Sequence, residues 1–148
     1  MHTASDVSPG LEFGFLLGTL SRAWRGKLNQ RLKGLGVTAP MFIALGQLSR
    51  AEKGLIQREL ADRLAIEGPT LVRLVDRLEA DGWVRRRPSD SDRRQNVLVL
   101  TDKALPALER MREVARGLHD EALRVASEAE LQTVRELFRK LLARLEEI

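Results

Sequence analysis

The sequence predicts a mainly α-helical chain with one small β-hairpin, and three observations carry that expectation. Apolar residues recur at three- and four-residue steps through most of the chain, the period of helices with one buried face. Two β-prone runs, "WVRRR" at 83–87 and "QNVLVL" at 95–100, flank a loop of Pro, Ser and Asp, which reads as an antiparallel hairpin. Helix starts and stops, among them Thr38, Pro69, Gly82 and Ser127, punctuate the remainder. The 148 residues suffice for one domain with its own core. The expected division is a flexible tail over 1–10, lacking periodicity, and a single domain over 11–148.

After the tail, Phe13, Leu16, Leu17, Leu20, Trp24, Leu28, Leu32 and Leu35 form one stripe, so a long amphipathic helix is expected to end at Gly34 or Gly36. Thr38 caps a second helix with Pro40 in its first turn, running through "MFIALGQLSR" and closed by "AEKG". "LIQRELADRL" predicts a short third helix with Leu60, Ala61 and Leu64 inward, and "AIEG" a tight connection. A fourth helix starts at Pro69 and stops at Gly82. On a wheel of about 100° per residue, Leu71, Leu74, Val75 and Leu78 make its core stripe, while Thr70, Arg73 and Arg77 lie well away from it. After the hairpin, Thr101 caps a long helix with Leu105, Leu108, Met111, Ala115, Leu118 and Ala122 inward. Ser127 and Glu130 form a capping box for a last helix bearing Leu131, Val134, Leu137, Phe138, Leu141, Leu145 and Ile148.

Two short helices joined by a tight turn before a hairpin describe a winged helix-turn-helix, placed here over 38–101. The apolar stripes of 11–36 and 102–148 exceed what one copy can cover, so they are expected to be dimerisation helices burying against a second copy of the chain.

Composition narrows the function. There is no cysteine, which removes disulfides, thiolate metal sites and thiol chemistry and suits a reducing, cytoplasmic setting. His2 and His119 are far apart and offer no metal-ligand spacing, so neither a metal nor a cofactor is expected. An enzyme lacks its inventory here, with no Cys, no Tyr, no His pair, no Gly-rich phosphate loop and no paired carboxylates on a shared cleft. The stretch "FGFLLGTL" at 13–20 is too short to span a membrane and follows Asp6 and Glu12, not a basic region. Net charge is only +4, so its placement matters more than its size.

That placement is uneven. Arg85, Arg86, Arg87, Arg93 and Arg94 crowd the hairpin. A charged turn is ordinarily just a solvated turn, but an arm needing only solubility would mix its charges. Arginine suits a narrow minor groove, where negative potential is enhanced and a guanidinium is less costly to dehydrate than an ammonium. Asp92 is close enough to pair with Arg94 and hold its side chain extended. On the fourth helix, the N-terminus around Pro69 offers backbone N–H groups to phosphate, and Thr70 can bond to phosphate or base. Arg73 can fork onto guanine O6 and N7, and Arg77 lies further along as a phosphate contact. The expected DNA-binding set is therefore Pro69, Thr70, Arg73, Arg77, Arg86, Asp92, Arg93 and Arg94, and the expected partner is double-stranded DNA. The competing reading is a winged helix used as a protein-interaction module, its charged wing meeting an acidic partner.

The segment "LIQRELADRLAIEGPTLVRLVDRLEADGWVRRRPSDSDRRQNVLVLTDKA" resembles the winged-helix segment of MarR-family bacterial transcription regulators, including the D-x-R wing motif at Asp92 and Arg94. "SRAWRGKLNQRLKGLGVT" and "IEGPTLVRLVDRLEADG" further resemble the SlyA branch. The resemblance covers nearly the whole chain after the tail. It implies a triangular homodimer with interlocked terminal helices, a fourth helix in the major groove, a wing tip in the minor groove, and a pseudopalindromic site. It also implies a pocket between the dimerisation helices and the DNA-binding lobe that takes small aromatic acids. In this chain Trp24 and Arg25 match the SlyA-like pattern and could accept an aromatic carboxylate. Equally, Trp24 could pack in the dimer interface while Arg25 pairs with a surface acid. The chain departs from the branch at "TAPMF", placing Met41 and Phe42 either in the core or along the pocket. Without cysteine or clustered histidine, the family's peroxide- and metal-sensing modes are not expected.

Overall fold

The computed structural model describes residues 8–148; the part of the expected tail at 1–7 lies outside them. The elements run α1 (Pro9–Leu32), a 3-10 turn (Lys33–Leu35), α2 (Ala39–Ser49), β1 (Leu55–Ile56), α3 (Gln57–Leu64), α4 (Gly68–Ala80), β2 (Val84–Pro88), β3 (Asn96–Leu100), α5 (Ala104–Ala122), a second 3-10 turn (Leu123–Val125) and α6 (Glu128–Glu147). The fold class is the expected one, mainly helical with a small antiparallel sheet. The contacts divide the chain into two units, Met1–Ala115 and Arg116–Ile148.

In the first unit, α1 begins earlier than the tail reading allowed. The Ser8 hydroxyl accepts the Leu11 N–H at 3.3 Å and Pro9 occupies the first turn, where a missing donor costs nothing. Thr38 caps α2 as expected, its hydroxyl accepting the Met41 N–H at 3.4 Å. The Ala39 N–H donates to the Asn29 side chain, tying α2 to α1.

The expected hairpin is part of a three-stranded sheet of order β1-β3-β2. Leu55 and Ile56, read from the sequence as helix, instead pair with Leu98 and Val97. Val84–Pro88 pairs antiparallel with Leu100–Asn96. Leu98 lies between Leu55 and Arg86 in this register and is 0 % exposed, so it roots the hairpin in the core. Gly54 enters the sheet at φ 78, and a Cβ there would stand 2.5 Å from the Leu98 carbonyl oxygen; no other residue fits.

The core joins Leu28 and Leu32 of α1, Met41, Ala44, Leu45 and Leu48 of α2, Leu60 and Ala61 of α3, and Leu71, Val75 and Leu78 of α4. The start of α5 adds Ala104, Ala107, Leu108, Met111 and Ala115. Two expectations about α5 need correction. Leu105 is exposed, not inward. The Thr101 hydroxyl does not cap the helix; it donates across to the Gly82 carbonyl at 2.5 Å, while the Thr101 carbonyl accepts the Ala104 N–H. Further along α1, Leu11, Phe13, Phe15, Leu16, Leu17 and Leu20 are all exposed.

In the second unit, α6 opens on the expected capping box. The Glu130 carboxylate accepts the Ser127 N–H at 2.8 Å and the Ser127 hydroxyl accepts the Glu130 N–H at 3.2 Å. The bond from the Ser127 backbone holds the Glu130 carboxyl below its ordinary range. No residue of α6 is buried, and Val134, Leu137, Phe138, Leu142 and Leu145 present apolar surface to solvent.

Candidate nucleic-acid interface

The site is built from α3, α4 and the β2–β3 hairpin. α3 closes on Ala65 at φ 52, a left-handed conformation, with the Ala65 and Ile66 N–H groups returning to the Asp62 and Ala61 carbonyls. A Cβ at such a φ costs roughly 1–2 kcal/mol, and the double return bond offsets that. The turn directs the chain into α4, whose first turn carries no acid and no side-chain cap. Among the described residues, the Gly68 and Thr70 N–H groups therefore have no side-chain partner, the arrangement that receives anions.

Leu71, Val75 and Leu78 bury one face of α4, and Leu74 is half-buried. Pro69, Thr70, Arg73 and Arg77 are exposed, on the face the wheel assigned. Arg73 makes no ion pair among the described residues. The Arg77 Nε donates to Asp81 at 3.3 Å, a surface pair that contributes at most about 1 kcal/mol and is easily exchanged for another anion. Sequence reasoning passed over Val72, an exposed apolar residue one step before Arg73. Its signal was present, since it falls about 100° off the Leu71 stripe.

The five hairpin arginines divide into two groups. Arg86, expected as a DNA contact, is occupied: its Nη2 donates to Asp76 at 2.7 Å and its Nη1 to Glu79 at 2.9 Å. Arg87 donates to the Lys53 carbonyl at 3.0 Å and lies 3.9 Å from Asp90. Arg85, Arg93 and Arg94 are exposed and make no ion pair among the described residues. The hairpin tip is shaped by backbone bonds, Ser89 N–H to the Gln95 carbonyl and Gln95 N–H to the Asp92 carbonyl, each 3.0 Å. Asp92 acts differently from the sequence expectation. Its carboxylate accepts the Arg94 backbone N–H at 2.9 Å, an Asx-type turn that fixes the backbone and leaves the Arg94 guanidinium free.

The expected ligand residues differ in exposure. Met41 is buried in the core and Phe42 half-buried, while Trp24 is half-buried and Arg25 exposed. A groove of about 690 Å³ is lined by Gly26, Asn29, Gln30, Lys33, Val37, Thr38 and Pro40, with none of those four expected residues in its lining. Among the described residues no cluster of His, Asp and Glu could hold a metal ion, and no helix is long and apolar enough to cross a membrane.

A helix-turn-helix whose second helix is followed by a basic β-hairpin defines a winged helix-turn-helix protein. A sequence model of the MarR family matches residues 35–95. The crystal structure of the transcriptional regulator PA3341 is 38 % identical, with a TM-score of 0.82, covering 92 % of this chain and 99 % of that one. A mutant MarR from E. coli complexed with operator DNA is 28 % identical at a TM-score of 0.79, covering 93 % of this chain and 99 % of that one. CouR from Rhodococcus jostii RHA1, bound to p-coumaroyl-CoA, shares the fold at a TM-score of 0.78 and 22 % identity, covering 95 % of each chain. Residues 35–95 thus match the MarR family, and the chain as a whole is similar to solved transcriptional regulators, E. coli MarR among them.

Proposed function

We propose that the chain is a transcriptional regulator, without enzymatic activity, that binds duplex DNA with sequence preference as a homodimer on a pseudopalindromic operator in the bacterial cytoplasm. The carrying observation is the site's division of labour: α4 exposes Thr70, Val72 and Arg73 beside an uncapped N-terminus, and the neighbouring wing exposes Arg85, Arg93 and Arg94 with no acid paired to them. Residues 38–101 form the DNA-binding lobe, and 11–36 with 102–148 the dimerisation helices. α4 enters the major groove with Arg73 on a guanine edge and Val72 against a thymine methyl; Pro69 and Thr70 approach phosphate, and Arg77 exchanges Asp81 for phosphate. The wing tip enters the minor groove with Arg93 and Arg94, on a backbone set by Asp92. The relation to E. coli MarR, solved with operator DNA, supports this reading.

The exposed apolar residues along α1 and α6 support the homodimer, because apolar helix faces left open to solvent call for a partner. The likeness of "SRAWRGKLNQRLKGLGVT" and "IEGPTLVRLVDRLEADG" to the SlyA branch supports a SlyA-like regulator. A small aromatic carboxylate acts as effector, met by Trp24 and Arg25; that Arg25 is exposed with no acid paired to it among the described residues supports this. Titrating a salicylate-like acid should release DNA from wild type and not from Arg25→Ala; an equal response removes Arg25 from the effector site.

Salt-dependent duplex binding tests the main reading against the protein-interaction module. Each phosphate neutralised adds about 0.9 to the slope of log affinity against log salt. A steep fall between 50 and 200 mM salt, of about 10³-fold or more, is the expected result for a dimer making six or more phosphate contacts. Flat or absent binding to duplex DNA sinks it.

A further inference from the structure

The geometry points to Arg86 as a positioning residue that clamps the wing to the reading helix, so that Arg86, Asp76 and Glu79 set operator discrimination without reading a base. This rests on the DNA-binding function proposed above. Arg86 sits on β2 opposite Leu98, and its guanidinium forks between two carboxylates of α4, at 2.7 Å from Asp76 and 2.9 Å from Glu79. Its own backbone N–H also donates to the second Glu79 oxygen at 3.4 Å. The Arg86 side chain is only 22 % exposed, whereas Asp76 and Glu79 are 60 % and 43 % exposed. It is thus the most covered partner of the network and the least able to reach a phosphate.

Two features make this arrangement more than a surface ion pair. First, a planar fork with two charged acceptors has one geometry, so it sets the separation and angle between wing and helix. Asp76 lies three residues after Arg73, on the same side of α4; the clamp therefore grips the helix one turn from the residue proposed to read a base. Second, two carboxylates on a helix that must approach phosphates oppose binding. Left unpaired they would weaken every duplex alike. Held by Arg86 they become the anchor of the wing, which explains acids at positions where a DNA-binding surface alone would omit them.

The two roles agree on affinity for a random duplex and part on discrimination, which makes the ratio the test. Asp76→Asn with Glu79→Gln removes two negative charges at nearly constant shape. If the carboxylates merely repel DNA, that pair of changes tightens binding to all duplexes and leaves discrimination intact. If they anchor the wing, affinity for a random duplex rises while the ratio of affinities, the duplex selected from a randomised pool over the random one, falls by about tenfold, the scale of coupling between contacting residues. Arg86→Met should lower the same ratio by a similar factor, and the triple variant should lose no more than either, because all three remove one interaction. An unchanged ratio in Asp76→Asn/Glu79→Gln, or additive losses in the triple variant, overturns the inference. A readout without DNA separates this from failure of the proposed function: in the free protein, Arg86→Met and the isosteric pair should both speed amide hydrogen exchange over Val84–Arg87. Unchanged exchange there overturns the clamp even if DNA binding holds.

Discussion

Replacing Phe138 and Leu145 by glutamate is expected to convert the proposed dimer into a chain sedimenting at its monomer mass of 16.7 kDa and to lower operator affinity by about 10²–10⁴-fold. Both residues are apolar and lie seven apart on α6, on a helix with no buried residue of its own. Burying each such side chain against a second copy contributes about 1.5–3 kcal/mol, and a symmetric interface counts every contribution twice. A carboxylate in the same place reverses the sign, since its desolvation costs several kcal/mol without a paired cation. The proposed DNA-binding lobe, 38–101, contains neither residue, so each head should keep its intrinsic affinity. What is lost is the gain from holding two heads at a fixed spacing. Sedimentation velocity and a binding titration on the same samples check both parts; a variant that stays dimeric with wild-type affinity would remove α6 from the interface.

Arg73→Ala should cost roughly 1–3 kcal/mol and relax preference at one base position, the signature of a lost bidentate contact to a guanine edge. Arg94→Ala should act otherwise, weakening all duplexes to a similar degree and reducing the salt slope by about 1, because a wing-tip arginine meets backbone and groove potential. The structure gives each residue the freedom this requires, since both are exposed and neither makes an ion pair among the described residues. Competition of each variant between the selected duplex and its single-base substitutions reads out the difference. If both variants keep wild-type affinity, the assignment of these two residues is wrong.

Much of the fold was legible because it rests on local signals. Thr38, Ser127 with Glu130, and the prolines near helix starts work over three or four residues, and Leu71, Val75 and Leu78 of α4 bury where their period places them. β1 escaped because Leu55 and Ile56 are too short a run to show a period of two, and only the Leu98 and Val97 partners make them a strand. Thr101 carries a cap signature, yet its hydroxyl finds the Gly82 carbonyl nineteen residues earlier. Leu105 lies on the apolar side of its helix by count but meets no neighbour that covers it.

At the interface, the exposed face of α4 followed from periodicity, whereas the fates of the hairpin arginines did not. Arg86 reaches acids seven and ten residues away on another element, a relation that appears only when β2 and α4 are brought together. Asp92 and Arg94 are two apart, and the sequence could not tell a side-chain pair from the backbone turn that forms.

The central claim is that one helix and one basic wing are presented twice, by symmetry, to a single duplex. Hydroxyl-radical footprinting of the wild-type protein on its selected duplex tests it most directly. Two equivalent protected patches, with centres about one helical turn apart and filled together as two chains bind, are the predicted result. A single patch filled by one chain, or no protection even at low salt, would contradict it.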